Sequence, residues 1–291
     1  MVEVILDASQ IETFETCPRK WYYSYVLNLL PKKSSKAFSI GSYYHEVLAR
    51  YYYLPLRTAE EGGPINDIGE RMRNAIDFAG SSVLLTQFGL KDLDIIKFHR
   101  QRIVDYLYFN MAEDETLTPI AVEQGFSYLL FEDHKRRYIL EGKIDLICKG
   151  RPYGLAVMDH KTQSRFDDRY ELNHQVMNYL NFTKAEYFIY NYIGLQDKLP
   201  PNGLRRMIYK PHPGMLEQWA ADVRRTFREM ESYRAYRDSE HEYPRRRCAC
   251  DASKYGLCPF YKMCAVPDDS IYKECARSAY KIKEEKWQAW R

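Results

Sequence analysis

The stretch that most constrains this chain is residues 141–161, EGKIDLICKGRPYGLAVMDHK. Two short apolar runs flank the Gly-Arg-Pro-Tyr-Gly segment at 150–154, and each run carries an aspartate, Asp145 in the first and Asp159 in the second. Side chains alternate along a strand, so Asp159 and Lys161 share one face and His160 takes the other. If the two runs pair as a hairpin, Asp145 comes close to that face. Two carboxylates and a lysine then converge at one sheet edge. Such an edge suits Mg²⁺, which takes hard oxygen ligands and leaves room for water and phosphate. A lysine beside it can orient a water or stabilise a phosphoryl transition state.

Other residues can join this edge. Glu123 lies in the preceding β-rich run among apolar neighbours and can add a third carboxylate, or stand as an exposed strand glutamate. Gln175 and Tyr179 are four apart on the helix predicted after Lys161, so they share one helix face. If that helix packs beside the strand of Asp159 and Lys161, both reach the same phosphate or water network. His45 sits on a helix whose other residues are Tyr, Val and Leu. It reads either as a satisfied structural histidine or as an imidazole ligand to Mn²⁺ or another divalent ion.

The cysteines form a second constellation. Cys250, Cys258 and Cys264 lie in CDASKYGLCPFYKMC, with Cys248 two residues upstream. Thiolates gathered in one irregular loop point to a soft metal, and four cysteines serve zinc or an iron–sulfur cluster equally well. Cys17, beside the helix break at Pro18, can complete the set and tie the two chain ends together. Cys148, within an apolar strand, reads as core, and Cys275 as unliganded.

The 291 residues, 45% apolar, suffice for one large domain or two small ones. The net charge of +3 says little about partners, but 26 tyrosines and local basic clusters say more. Among those clusters are Arg205-Arg206, Arg224-Arg225 and Arg245-Arg246-Arg247. Cations interleaved with aromatic rings suit a nucleic-acid channel, although most tyrosines fit equally well at core edges. There is no membrane-length apolar run and no secretory leader, which predicts an intracellular, cytoplasmic protein with reduced cysteines. Phosphate-loop, dinucleotide and acyl-transfer elbow motifs are absent, so nucleotide triphosphates are not expected as partners.

Periodicity predicts helices in residues 1–116. These include one capped by Ser9 in a capping box with Glu12, one running from Pro18 through PRKWYYSYVLNLL, and one near Gly41 that carries His45. Residues 117–211 read as a mixed α/β core of strands and one helix. Residues 212–291 read as a long charged helix, the cysteine region and a final charged helix.

Together these pieces resemble the PD-(D/E)XK nuclease superfamily in its RecB-like branch, alongside CRISPR-associated RecB-like exonucleases, their phage relatives and AddB-type nuclease domains. SQIETFETCPRKWYYSYV is similar to the branch's cysteine-proline motif and GSYYHEV to its G-x-x-x-H segment. EGKIDLI and MDHK supply the acidic residues and the lysine, QVMNY the Q-x-x-x-Y helix, and CDASKYGLCPFYKMC the cysteine cluster. No proline precedes Asp145, and Cys248 duplicates the first cysteine of the cluster.

The resemblance implies a restriction-endonuclease-like core sheet with flanking helices, in a mixed α/β fold whose C-terminal cysteine region packs on the N-terminus. It implies Mg²⁺ or Mn²⁺ held by His45, Asp145 and Asp159, catalysis with Lys161, and support from Gln175 and Tyr179. It also implies a [4Fe–4S] cluster on Cys17, Cys250, Cys258 and Cys264, with Cys248 the alternative to Cys250 and zinc the alternative to iron. The expected activity is hydrolysis of DNA, mainly single-stranded or at ends, with 5′→3′ polarity. Recombination, repair or CRISPR-adaptation proteins are the expected partners in a bacterial, archaeal or phage-infected cell. The rival expectation is a non-catalytic DNA-binding or scaffold subunit.

Overall fold

The computed structural model describes residues 1–32, 36–60, 67–163, 173–196, 203–234, 242–251, 257–268 and 270–283. In chain order, strand β1 (Val2–Asp7) leads into helices α1 (Ala8–Thr16) and α2 (Pro18–Trp21), a π-helical turn and the short strand β2 (Leu29–Pro31). Helices α3 (Lys36–Glu60), α4 (Ile68–Ala79), α5 (Ser82–Gln87) and α6 (Leu93–Asp114) follow. Next come strands β3 (Leu117–Glu132), β4 (Arg136–Gly150) and β5 (Gly154–Gln163), helix α7 (His174–Thr183), and strands β6 (Tyr187–Gly194) and β7 (Leu204–Tyr209). The chain continues through α8 (Met215–Arg234), α9 (Cys248–Asp251), α10 (Tyr261–Cys264), α11 (Ile271–Arg277) and β8 (Tyr280–Ile282). The fold is mixed α/β, as the pattern predicts.

The chain forms two compact units, one of Met1–Ser34, Ser127–Gly142 and Gly214–Arg291, the other of Ser35–Phe126 and Lys143–Pro213. In the second unit a mixed sheet runs β4-β5-β6-β7. The β4/β5 pair is an antiparallel hairpin closed at Gly150↔Gly154, which is the pairing expected from the sequence. Strand β6 runs parallel to β5 from Ala156↔Tyr187 to Gln163↔Gly194, and β7 returns antiparallel.

Helix α3 forms because Tyr43, Val47 and Tyr51, with Tyr44, Leu48 and Tyr52, recur at four-residue steps and present one apolar stripe. That stripe is buried with Ala75, Ile103 and Tyr106 of α4 and α6 against Leu146, Ala156, Met158 and Ile189 of the strands. Each fully buried large apolar side chain there contributes about 1.5–3 kcal/mol. The tyrosines of this stripe are thus core residues. Alternation along β5 sends Ala156 and Met158 into that core and leaves Asp159 and Lys161 to meet Gln175 of α7.

In the first unit β1 runs parallel to the first part of β4, from Val2↔Arg136 to Asp7↔Glu141, and β2 pairs antiparallel with β8. The apolar α1 residues Ile11 and Phe14 and the α8 residues Val223 and Phe227 are buried.

Some local expectations are corrected. The cap of α1 is Asp7, whose carboxylate accepts the Gln10 N–H at 2.7 Å, and Ser9 lies inside the helix. The starting strand β1 takes the chain up to Asp7 in extended form, so the capping turn falls two residues earlier than the box suggests. The helix after Pro18 is short: it widens into a π-helical turn at Tyr22–Val26 and gives way to β2. Of the loop expected over residues 60–64, Glu60 ends α3 and the rest lies outside the described residues, as do the first residues of the helix expected from 170 and the final charged helix.

Candidate active site

The β4/β5 ladder ends at Leu146↔Met158, one residue short of Asp145 and Asp159. β5 continues beside β6, so the two aspartates stand where the hairpin strands part. Asp145 replaces the missing ladder bond: its Oδ2 accepts the His160 backbone N–H at 2.8 Å. The same oxygen lies 3.3 Å from His45 Nδ1 on α3. Glu123 on β3 completes the group. One ligand atom from each of His45, Glu123 and Asp145 lies within 4.8 Å of the other two.

Glu123 has φ 52, the left-handed region that costs a residue with a Cβ about 1–2 kcal/mol. A kink of this kind re-aims a strand side chain. Lys143 pairs with the Glu123 carboxylate.

Asp159 and Lys161 form the adjoining half. Lys161 Nζ is 2.7 Å from Asp159 Oδ2 and 2.9 Å from Gln175 Oε1. Gln175 Nε2 donates to Asp159 Oδ1 at 3.0 Å and to the Tyr179 hydroxyl at 2.9 Å. The amide orientation is forced, because a lysine only donates and a carboxylate only accepts. The Tyr179 hydroxyl donates in turn to the Lys143 carbonyl. Helix α7 delivers Gln175 and Tyr179 on one face, with Asn173 capping its start by accepting the Gln175 N–H and Lys184 ending it in left-handed conformation. The Lys161 side chain keeps 25% of its surface exposed, whereas Asp159 keeps 2%.

The electrostatics follow from burial and mutual charge. Burial works against a charge on His45, but Asp145, and behind it Asp159 and Glu123, hold its pKa up at about 9. Burial also opposes the Asp145 carboxylate, and the neighbouring His45 and His160 outweigh it, so the group stays well below the usual carboxylate range. For Asp159 burial wins over Lys161, and Asp145 adds to it, so this carboxyl is shifted up. Glu123 is raised by burial and by Asp145 against the pull of Lys143.

These residues fit a divalent cation. Carboxylate oxygens with one imidazole suit Mg²⁺ or Mn²⁺. The buried Asp159 Oδ2 makes no aligned hydrogen bond, its contact with Lys161 being ionic. Of the residues singled out in the sequence, His45, Asp145 and Glu123 come within 4.8 Å of one another, while Asp159, Lys161, Gln175 and Tyr179 form a connected group linked to them through His160 and Lys143. The participation of the His160 N–H was not legible in the sequence, where His160 read only as the opposite face.

Apart from Cys148, the cysteines lie in the first unit. Cys17 is buried between α1 and α2 and donates its N–H to the Thr13 carbonyl at 2.9 Å. Cys258 donates its N–H to the Cys250 carbonyl at 3.0 Å. Burial raises the Cys258 thiol, and Cys17 adds to that rise. Burial pushes the Cys264 thiol up to about 11, with Cys258 contributing, against the pull of Arg19, Arg245 and Lys273. Cys258 is thus within electrostatic reach of Cys17 and Cys264 and meets Cys250 through its backbone. Cys248 is exposed at the start of α9, and Cys275 is also exposed. Cys148 is buried in β4 as core.

A family model of the PD-(D/E)XK nuclease superfamily matches residues 6–265. The chain belongs to that superfamily, and with its cluster of His45, Glu123 and Asp145 it carries the attributes of a metal-dependent nuclease. Among solved structures, one titled "Crystal structure of SSO0001" aligns at 13% identity over 77% of this chain and 76% of its own, with a TM-score of 0.35. No curated protein sequence matches. No helix among the described residues is long and apolar enough to cross a membrane.

Proposed function

We propose that the chain is a metal-dependent DNA exonuclease that acts on single-stranded ends, with 5′→3′ polarity, in recombination, repair or CRISPR-type DNA processing. The observation that carries this reading is the gathering of His45, Glu123 and Asp145 within 4.8 Å beside an intact Asp159–Lys161 pair. A scaffold role leaves no reason to keep every member of such a set.

In this reading His45, Asp145 and Asp159 hold Mg²⁺ or Mn²⁺, and Glu123 is the accessory acid. A bound divalent cation supplies positive charge against the phosphate and makes water more acidic. Lys161, steadied by Asp159 and Gln175, orients the attacking water and offsets the charge that grows on the phosphate oxygens. The water oxygen bonds to phosphorus and one P–O ester bond breaks. One proton of the water passes to solvent, and the leaving sugar oxygen takes another. Gln175 and Tyr179 keep the lysine and the strand ends in register.

The cysteine region, in the same reading, holds a [4Fe–4S] cluster on Cys17, Cys250, Cys258 and Cys264. The half-buried setting of Cys250 and its backbone bond to Cys258 favour it over the exposed Cys248. Visible absorbance with iron and sulfide content, set against zinc content, tests the metal.

The activity test is a divalent-metal panel on end-labelled single- and double-stranded DNA. Wild-type protein with Mn²⁺ is expected to shorten single strands from the 5′ end. Lys161→Ala is expected to lower the rate by about 10²–10³, the scale for losing one charge-stabilising group. Equal nucleotide release by wild type and Lys161→Ala would refute the assignment, and cleavage confined to internal positions would refute the exonuclease reading.

A further inference from the structure

A continuous buried polar chain runs from Asp145 through His160 to Asp114. The residue that holds the Asp145 carboxylate through its backbone N–H is His160. The His160 ring stacks on Tyr52 at 5.6 Å between centroids and 13° between planes. Its Nδ1 is 3.2 Å from Asn191 Nδ2 on β6. Asn191 Oδ1 accepts from Arg206 Nε on β7 at 2.7 Å. Arg206 Nη2 then reaches the Tyr52 hydroxyl at 3.1 Å and Asp114 Oδ1 at 2.5 Å. The second Asp114 oxygen accepts from the Tyr51 and Tyr52 hydroxyls at 3.0 and 3.2 Å. His160, Asn191 and Asp114 are 2%, 0% and 0% exposed, and the Arg206 side chain is 4% exposed.

The direction of every bond in this chain follows by elimination. A guanidinium only donates, so Asn191 must turn its oxygen to Arg206 and its amide N–H to His160. His160 Nδ1 is therefore an acceptor, and its ring proton sits on Nε2. The ring is held on one side by Asn191 and on its face by Tyr52, and this fixes the backbone of β5 where its N–H grips Asp145. The anchor at the far end is the Arg206–Asp114 ion pair, which joins β7 to the end of α6.

We propose that Asn191 and Arg206 are positioning residues of the metal site, acting through His160, whose N–H fixes the Asp145 carboxylate beside His45. The proposal rests on the reading of Asp145 as a metal ligand. Partners of this kind typically change metal affinity by about 10–100-fold when removed.

Two measurements test it. In wild-type protein with ¹⁵N-labelled histidine, the ring-nitrogen shifts of His160 are expected to show a bare Nδ1 and a protonated Nε2, and a protonated Nδ1 overturns the chain of bonds. Asn191→Asp keeps the side-chain shape and offers Arg206 a carboxylate, but faces His160 with a lone pair in place of the N–H. Calorimetric titration with Mn²⁺ alone is expected to give a Kd about 10–100-fold weaker for Asn191→Asp, with KM for single-stranded DNA at saturating Mn²⁺ unchanged. A wild-type Mn²⁺ Kd in folded Asn191→Asp overturns the proposal. Asp145→Asn separates the two readings. If it also binds Mn²⁺ like wild type, the metal assignment itself fails. If it loses Mn²⁺ while Asn191→Asp does not, only the positioning role fails.

Discussion

The carboxylate site and the cysteine region are built in opposite ways. His45, Glu123 and Asp145 converge within 4.8 Å on a sheet and a helix whose positions are set by an apolar core and by a buried polar chain from Asp145 to Asp114. The thiols come from the two ends of the sequence. Among the described residues no three of them come within 4.8 Å of one another, and short helices and turns carry them. The first is a site that its scaffold makes. The second, if the proposed cluster occupies it, is a cross-link that helps make its scaffold, because a ligand set absent from the unfolded chain turns binding energy into folding energy.

The largest expected effect breaks or confirms that contrast directly. Cys258→Ala should lower soluble yield and melting temperature strongly, since it would remove a ligand of the proposed cluster joining residues near 17 to residues near 260. Stripping divalent cations from wild type with EDTA should move the melting midpoint by no more than the binding free energy, about 2.7 kcal/mol at a hundredfold excess over Kd. Thermal melts of both samples decide it. A soluble Cys258→Ala protein that melts like wild type would remove the structural role of the cluster, and a collapse in EDTA would erase the contrast from the other side.

A second prediction concerns the ionic brace beside Cys264. Asp268 takes Arg19 Nη1 at 3.2 Å, Arg245 Nη2 at 2.7 Å and Lys273 Nζ at 2.9 Å. Burial disfavours its charge, but Lys273 and Arg19 outweigh burial and depress its pKa. A carboxyl depressed in the folded state contributes stability above its unfolded pKa of about 3.9 and loses it as pH falls through the folded value. Stability should therefore drop below about pH 4 in wild type. Asp268→Asn should flatten that acid limb and melt lower at neutral pH, because it leaves three cations facing an uncharged group. Melting curves between pH 3 and 7 check this, and an unchanged acid limb in Asp268→Asn assigns the loss to other carboxylates.

The two regions also differ in how legible they were. The β4/β5 hairpin and the shared face of Asp159 and Lys161 follow from a two-residue period and a Gly-bounded turn, both local signals. Gln175 and Tyr179 follow from helical spacing once the next helix is placed beside the strand. Arg206 did not follow: beside Arg205 it read as part of a surface basic cluster suited to phosphates. In the fold it is buried against Asp114, 92 positions earlier in the chain, and sequence spacing carries no sign of such a pairing. The same holds for Asn191 and His160, which look like ordinary polar interruptions of strands until β6 and β7 are laid beside them. The tyrosines of α3 were legible only as amphipathic rings, and packing against α4 and α6 made them core. For the cysteines, the sequence marks the candidates, whereas their common region depends on the chain ends meeting in one unit.

The smallest predicted effect probes how much distortion the carboxylate site tolerates. Glu123 holds φ 52, a conformation that glycine adopts without a Cβ clash and alanine does not. Glu123→Gly and Glu123→Ala both lose the carboxylate and its pairing with Lys143, so those losses cancel between them. The remaining difference is backbone strain, about 1 kcal/mol in favour of glycine, or roughly 2–4 °C in melting midpoint for a chain of this size class. Both variants should weaken Mn²⁺ binding to the same degree. If Glu123→Ala melts as high as Glu123→Gly, the strand carries no strain there, and the aim of Glu123 toward His45 and Asp145 needs no support from the rest of the sheet. If glycine melts higher while Mn²⁺ affinity falls equally in both, the surrounding unit holds this residue against its own preference. That is the behaviour of a scaffold that makes its site, and it separates this region from the thiols at their sharpest point.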